Sequence, residues 1–131
     1  MKRKAYKRQL ERTRAIFTPW IQMLGLSYQD IRVNYYDSQK EWRKGHKRDA
    51  ALTVRCDWRY LHALIDVNAP LCAMLDDKQL EIKCVHELCH ILVNEMRTGN
   101  RDHEERVVCA LTNALIWTRN ITRDASTHTH E

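Results

Sequence analysis

Two histidines and a glutamate stand close together in the segment His86-Glu87-Leu88-Cys89-His90. Side chains four residues apart lie one above the other on a helix, so the imidazoles of His86 and His90 can reach the same metal ion. Glu87 is displaced by one position and can approach a metal-bound water without binding the metal, as a general base must. The spacing therefore predicts a zinc site with Glu87 as its catalytic base.

The H-E-x-x-H pattern is specific in this chain. A random chain of this composition, with seven histidines, would contain the pattern about 0.02 times. The pattern also interrupts an apolar helix, where burying an imidazole or a carboxylate without a partner costs about 1–3 kcal/mol or more. Metal ligation would satisfy these groups. The simpler interpretation is a pair of hydrogen-bonded core histidines beside a carboxylate.

A hydrolytic zinc site needs a third protein ligand and an open fourth position. His103, Glu104 and Glu105 are three candidates at the start of the next predicted helix. At about 100° per residue, Glu104 is centred over the apolar positions of that helix, so periodicity alone favours Glu104. Glu105 lies toward one edge of the apolar stripe and His103 toward the other. Glu105 could also complete a capping box with Asp102.

The hydrophobic pattern predicts the elements that must position these residues. Residues 5–24 predict a basic helix, interrupted at Thr18-Pro19, with Gly25 as a stop signal. Alternation of apolar and polar residues predicts strands near residues 31–35, 52–58 and 63–67, with a hairpin near 59–61. We expect a small sheet of three or four strands that is mainly antiparallel.

From Asp77 the hydrophobic period becomes that of a helix. The segment near residues 84–93 is apolar on almost all sides, which predicts a central buried helix with Asp76 or Asp77 as its cap. A closing helix is predicted over about residues 102–117, and residues 123–131 are expected to be a flexible tail. A third ligand near residue 105 can reach the histidines only under one of two conditions. Either the helix that carries His86 and His90 ends near residues 94–96, or residues 97–102 fold back alongside it.

Length and composition fit one α+β domain over residues 1–131. Hydrophobic residues make up 44% of the chain and charged residues 30%, which is a globular balance. No apolar run is long enough to span a membrane, and the N-terminus lacks the apolar region of a secretory signal. The five cysteines are odd in number and lack paired C-x-x-C spacing, which favours reduced thiols. We therefore expect a small cytoplasmic protein without a membrane partner.

The positive charge is concentrated in two segments. Residues 1–14 contain seven basic residues and one acidic residue, in a chain whose net charge is +5. A second basic stretch covers residues 40–48. Such clusters could bind nucleic-acid phosphates, or they could be solvated surfaces of a helix and a loop.

The segments CVHELCHILVNEM and DHEERVVCALTNALIW resemble small zincin-type metallopeptidase-like proteins of phages and prophages. The pattern is similar in outline to minigluzincins and to the peptidase domains that cleave phage repressors. The resemblance covers about residues 28–118 and is specific in the last two helices. It implies a basic helix, a small sheet, an H-E-x-x-H helix and a closing helix with a Glu-x-Val/Ala-Val motif.

Residue by residue, the resemblance implies that His86 and His90 bind zinc and that Glu87 is the catalytic base. Glu105, followed by Arg106-Val107-Val108, matches the family's glutamate ligand. This conflicts with the periodicity that favours Glu104. We adopt Glu105 as the predicted third ligand, because the first turn of a helix is the part least reliably phased.

His103 stays a lesser alternative, since related intracellular zincins use a third histidine. The expected function is zinc-dependent hydrolysis of peptide bonds, with a peptide or protein as substrate. The alternative is a catalytically silent, zinc-stabilised binding module that associates with nucleic acid through the basic helix of residues 1–14.

Overall fold

The computed structural model describes residues 2–57, 60–94 and 101–129, and the side chains of residues 6–57, 60–94 and 101–123. These residues have the predicted α+β class, with helices before and after three strands. In chain order the elements are α1 (Lys2–Met23), β1 (Asp30–Tyr36), α2 (Gln39–Gly45), β2 (Leu52–Asp57), β3 (His62–Asn68), α3 (Ala69–Cys72), α4 (Asp77–Val93) and α5 (Arg101–Thr129). None of the helices in the described ranges combines the length and the apolar character needed to cross a bilayer.

The strands form one mixed sheet in the order β1-β3-β2. β2 and β3 are antiparallel, as the predicted hairpin requires. β1 runs parallel to β3, so the sheet has one parallel and one antiparallel pairing. The chain between β1 and β3 includes α2 and β2, and it is long enough to return to the end of the sheet where β1 begins.

One face of the sheet forms one side of the hydrophobic core. Val33, Ile65 and Val54 lie side by side across the three strands. Ile65 is fully buried and the other two pack against the buried cluster. The predicted alternation of core-facing and outward-facing residues is therefore confirmed.

α4 is the central helix of this core, as predicted, and packs against α1, α5 and β2. It begins with a capping box in which Asp76 accepts from the Gln79 backbone N–H and the Gln79 side chain accepts from the Asp76 backbone N–H. Its buried side chains are Leu80, Cys84, Val85, Leu88, Cys89 and Ile91.

The five cysteines are free thiols, in agreement with the prediction. Cys72, Cys84 and Cys89 are buried as small apolar side chains. Burial raises the pKa of Cys72 to about 11, so its thiol stays protonated at neutral pH.

The predicted interruption of the first helix is wrong, because α1 continues through Pro19. Phe17 and Trp20, on either side of the proline, are buried in the core. Their packing offsets the loss of a backbone hydrogen bond, a penalty of about 3 kcal/mol in a helix interior.

Gly25 terminates α1, as predicted. Its φ of 70° is left-handed, and its N–H donates to the carbonyl of Gln22 at 3.1 Å. The N–H of Leu26 donates to the carbonyl of Ile21 at 2.9 Å. These two bonds form a Schellman motif, which satisfies carbonyls at the helix end.

Arg12 shows that the basic first helix is not only a solvated surface. Its guanidinium donates to the carbonyls of Cys72 and Leu75 and to the carboxylate of Asp77, at 3.1, 2.8 and 2.9 Å. It therefore joins α1 to the turn between α3 and α4. Gln9 and Thr13 on the same helix are also buried.

α2 covers the opposite face of the sheet. Its Trp42 is fully buried and stacks on the imidazole of His46 with ring centroids 3.7 Å apart. Nδ1 of His46 donates to the carbonyl of Trp42, and Nε2 lies 2.8 Å from Oδ2 of Asp66 on β3. The other carboxylate oxygen of Asp66 is buried without a hydrogen-bond partner among the described residues.

The end of α4 and the start of α5 lie where a site shared by the two helices requires them. α4 ends at Val93 with Asn94 as its C-cap, one of the two arrangements that the sequence left open. Residues 95–100 lie outside the described residues. α5 begins at Arg101 and continues to Thr129, beyond the predicted end, so it includes residues 123–129 of the predicted tail.

The side chains of Trp20, Glu81 and Arg119 form a cluster that connects α1, α4 and α5. The carboxylate of Glu81 forms a bidentate ion pair with Arg119. It also accepts a 2.9 Å hydrogen bond from Nε1 of Trp20, over whose ring the Arg119 guanidinium lies. The Arg119 guanidinium lowers the pKa of Glu81, and burial opposes this shift.

Gly25→Ala is expected to lower the free energy of unfolding by about 1–2 kcal/mol, because a side chain disfavours the left-handed conformation. No atom lies within 4 Å of a Cβ at this position, so the loss reflects backbone conformation alone. Gly45→Ala is the matched control, since Gly45 also has open space but no left-handed φ. Urea unfolding should show equal or higher stability for this control; equal losses in both variants would contradict the assignment.

Glu81→Gln is expected to lower the free energy of unfolding by about 1–2 kcal/mol at pH 7, after allowance for solvent screening. The folded pKa of Glu81 lies below its unfolded value, so its contribution is present above the unfolded pKa and is lost as pH falls through the folded pKa. The difference between wild type and variant should therefore shrink below about pH 4. Denaturant unfolding across pH measures it, and a pH-independent difference would refute the assignment.

Candidate metal centre

The two histidines of α4 point their Nε2 atoms at a common position. Nε2 of His86 and Nε2 of His90 are 3.2 Å apart, and the ring centroids are separated by 4.9 Å. This geometry follows from the spacing of four residues on a helix. The two residues are partly exposed, whereas Val85, Cys89 and Ile91 beside them are buried. The histidines therefore stand at the boundary between the core and solvent.

Glu105, in the second turn of α5, completes a cluster of three residues. Its Oε1 lies 2.9 Å from Nε2 of His86, and its Oε2 lies 3.1 Å from Nε2 of His90. Donor atoms of His86, His90 and Glu105 all lie within 4.8 Å of one another. The packing of α5 on α4 thus brings together three side chains with metal-ligating atoms.

The spacing of these donors fits a metal ion. In a tetrahedral zinc site with bonds of ~2.0–2.1 Å, neighbouring donor atoms lie about 3.3 Å apart. The two Nε2 atoms here are 3.2 Å apart, and each has a different oxygen of the Glu105 carboxylate at 2.9 or 3.1 Å. With one donor atom from each residue, all three lie within 4.8 Å of one another. Two imidazoles and one carboxylate are also a ligand set that zinc uses when a fourth position stays open.

The protonation of His86 also fits metal ligation. Burial lowers its pKa, the charge of Glu105 opposes this shift, and His90 reinforces it. The imidazole is then neutral near pH 7 and keeps a lone pair on one ring nitrogen.

The neighbouring carboxylate, Glu104, has a different role from Glu105. Glu104 is 8% exposed, whereas the side chain of Glu105 is 52% exposed. Oε1 of Glu104 lies 3.3 Å from Nδ1 of His90, the ring nitrogen that faces away from the cluster. Glu104 thus faces the core, as periodicity predicts, and contacts His90 at the ring nitrogen that does not face Glu105. Such contacts orient imidazole ligands in metalloproteins.

His103, the lesser alternative, is exposed and is not part of the three-residue cluster. The structure therefore places Glu105 with the histidines, Glu104 behind His90, and His103 on the surface.

Glu87 borders the same space without joining the cluster of donors. Burial raises its pKa to about 8, the charge of Glu105 adds to this shift, and Lys83 opposes it. A bound dication would act in the opposite direction, because positive charge stabilises a carboxylate.

A cavity of about 480 Å³ opens over these residues. One wall is strand β2, which is an edge of the sheet because β3 is its single partner among the described strands. The other walls are α4 and the start of α5. The lining residues are Leu52, Thr53, Val54 and Arg55 of β2, His86, Glu87 and His90 of α4, and Arg101, Glu104 and Glu105 of α5.

Arg101, Tyr60 and Tyr35 carry groups that could donate a hydrogen bond to a reacting carbonyl oxygen. Of these, Arg101 lines the cavity. Tyr60 is exposed and is not a lining residue. The hydroxyl of Tyr35 is hydrogen-bonded to Thr13 at 2.6 Å, away from the site.

The contribution of β2 could not be predicted from the sequence, because nothing local shows which strand is the edge beside the helix that carries His86 and His90. The alternation of Thr53 and Arg55 with apolar neighbours was visible as a strand pattern. The contact between His46 and Asp66 was also missed, since twenty residues separate its partners.

No protein family, curated protein or solved structure matches the chain. What the site can do is therefore inferred from its own residues and geometry.

Substitution at the cluster should remove the metal selectively. We expect protein purified without added metal to contain close to one zinc per chain, and His86→Ala or Glu105→Ala to lose it. Glu104→Ala should weaken zinc binding about 10–100-fold, the usual effect of losing a residue that orients a ligand. Elemental analysis and competition with a chromogenic chelator measure both effects.

His103→Ala is the control, because His103 lies outside the cluster, and its zinc content should equal that of wild type. Zinc that survives His86→Ala, or that is lost in His103→Ala alone, would contradict the assignment of the site.

Proposed function

We propose that the protein is a zinc-dependent metallopeptidase in which His86, His90 and Glu105 hold the metal. The observation that carries this proposal is the convergence of three donor atoms within 4.8 Å at a cavity that Glu87 also lines. A structural zinc site is usually closed by four protein ligands. The cluster of three donors and its position beside a cavity support a site with one position open for reaction.

The residues divide the chemistry between them. When bound, zinc supplies Lewis acidity to a carbonyl oxygen and to a water molecule in the open position. The carboxylate of Glu87 accepts a proton from the attacking water and can return it to the leaving amine. Glu104 holds the ring of His90 through its Nδ1 atom.

The edge strand β2 supports a peptide as the substrate. The backbone groups on the free edge of β2 can pair with an extended chain, and Leu52–Arg55 line the cavity beside the cluster. Pairing of this kind would hold the main chain of a peptide alongside the metal and Glu87. It relies on backbone groups and makes few demands on peptide sequence.

The alternative function, a zinc-stabilised binding module, is less well supported. A metal that serves only folding does not require a carboxylate at the position of Glu87. The basic residues Lys7, Arg8 and Arg14 of α1 are exposed and remain a candidate surface for nucleic acid. They contribute no atom to the cavity, so any binding there would be separate from the proposed chemistry.

We further propose that the protein works in the cytoplasm. All five cysteines fall within the described ranges and are free. This supports a reducing compartment, where thiols persist.

Glu87→Gln should retain zinc and the fold but lose at least about a hundredfold in peptidase activity, the scale of a general base. The amide keeps the shape of the side chain and cannot accept the proton. Turnover of a peptide library, with zinc content measured on the same samples, tests this expectation.

Glu41→Gln on α2 is the control for loss of a carboxylate outside the cavity, and its turnover should equal that of wild type. A Glu87→Gln variant as active as wild type would refute the assigned base. Absence of turnover in zinc-loaded wild type across the library would favour the binding module.

A further inference from the structure

The outer surface of α5 is apolar and carries no charge over several turns. Residues 107–118 contain no charged side chain, in a chain of which charged residues make up 30%. Arg119 is the first charged residue after them, and its guanidinium pairs with Glu81 of α4. A helix at the surface of a globular protein normally carries charged and polar residues on the side that faces solvent. α5 thus has the composition of a helix with apolar neighbours on more than one side.

The exposed apolar residues of α5 follow a heptad spacing. Intervals of three, four, three and four residues separate the members of this outer stripe, which are Val107, Ala110, Ala114, Trp117 and Ile121. All five are exposed, and Trp117 is 67% exposed. At about 100° per residue, the centre of the stripe lies about 160° around the helix from the buried positions Glu104, Val108, Thr112 and Ile116. Such spacing is typical of a helix that packs along a second helix.

We infer that the outer stripe is the contact surface of a homodimer, in which α5 packs antiparallel against α5 of a second copy of this chain. The inference goes beyond the proposed function and does not rest on it. Glu105 lies about 160° around α5 from the centre of the stripe. Pairing of the two helices therefore leaves the cavity at the metal centre open.

The sizes of the side chains are self-complementary in an antiparallel pair. Centred on residue 112, such a pair places Ala110 opposite the partner's Ala114, and Val107 opposite the partner's Trp117. The alanines allow the two helices to approach closely, and each large indole meets a smaller side chain, which is how facing positions interdigitate. The arrangement has a two-fold axis, so every contact occurs twice, as in most homodimers.

Charge favours the antiparallel arrangement over the parallel one. The positions next to the outer stripe are, on its two sides, Arg106, Asn113 and Asn120, and Leu111 and Thr118. In the antiparallel pair Arg106 lies near the partner's Asn120, and Asn113 lies near the same residue of the partner, so like charges do not meet. In a parallel pair Arg106 would face the partner's Arg106, and two indoles of Trp117 would compete for one layer.

The length of the outer stripe sets the expected affinity. The rise of 1.5 Å per residue makes it about 21 Å long from Val107 to Ile121. A single helix pair of this length buries less than the ~800 Å² per partner of a standard interface. We therefore expect a reversible dimer with a Kd of about 10–100 µM.

Sedimentation velocity from about 1 µM to about 500 µM protein, a range that brackets this Kd, tests the inference. Wild type should change from monomer to dimer across the range. Trp117→Glu should weaken dimerisation at least about tenfold, because it places a charge against the partner's Val107. Tyr28→Glu is the matched control, since Tyr28 is 65% exposed between α1 and β1, and should dimerise as wild type does. Circular dichroism and urea unfolding of the same samples establish that each variant is folded.

A second pair of variants tests the antiparallel register. Val107→Lys and Trp117→Glu should each be largely monomeric alone. In a mixed antiparallel dimer, the introduced amine of one copy lies opposite the introduced carboxylate of the other, and the second layer keeps the native Val107 and Trp117. An equimolar mixture should therefore recover dimerisation, which a parallel pair would not allow.

The inference is overturned if wild type stays monomeric across the range, or if Trp117→Glu dimerises as wild type does. It is also overturned if Tyr28→Glu loses dimerisation to the same extent, or if the mixture is no more dimeric than each variant alone. Flotation of a monomeric wild type with phosphatidylcholine–phosphatidylglycerol vesicles, lost in Trp117→Glu, would assign the outer stripe to a lipid surface instead. None of these measurements depends on zinc or on turnover, so failure of the proposed function leaves the inference intact.

Discussion

The contact of Glu105 with two imidazole nitrogens is the constraint on which the rest of the site depends. It requires α4 to stop soon after His90 and α5 to start close beside it. α4 does end at Val93, and α5 begins at Arg101. The buried face of α4 must also pack between the sheet and two other helices. Because α4 ends soon after His90 and α5 starts close beside it, the polar groups of a largely buried helix can face a cavity.

A buried helix is an effective support for such groups because its side chains have little freedom to move. Leu88 and Cys89 separate Glu87 from His90 in the sequence and are both fully buried. Their packing fixes the rotation of α4 about its axis, so the imidazoles project at one edge of the core. Glu104 adds a contact to Nδ1 of His90, the ring nitrogen that does not face Glu105. The site gains rigidity from the core rather than from loops.

The parts of the structure that depend on local pattern could be predicted from the sequence. The cap at Asp76, the stop at Gly25 and the burial of Cys89 each follow from a few neighbouring residues. The choice between Glu104 and Glu105 could not be settled by periodicity, which identifies the core-facing residue and not the one beside a second helix. Pairing of β1 with β3, and the continuation of α1 through Pro19, depend on contacts between distant segments. A pattern within one segment does not contain them.

Among the described strands β2 pairs with β3 alone, and its open edge affects the behaviour of the protein at high concentration. An open edge can pair with the same edge of a second molecule and extend into an intermolecular sheet, which is a route to aggregation. If this edge accepts a peptide, it cannot be covered by another part of the chain. Arg55 places a charge at the edge, and the like charges of two molecules oppose such pairing. Arg55 would then help to keep this open strand from pairing with a second molecule.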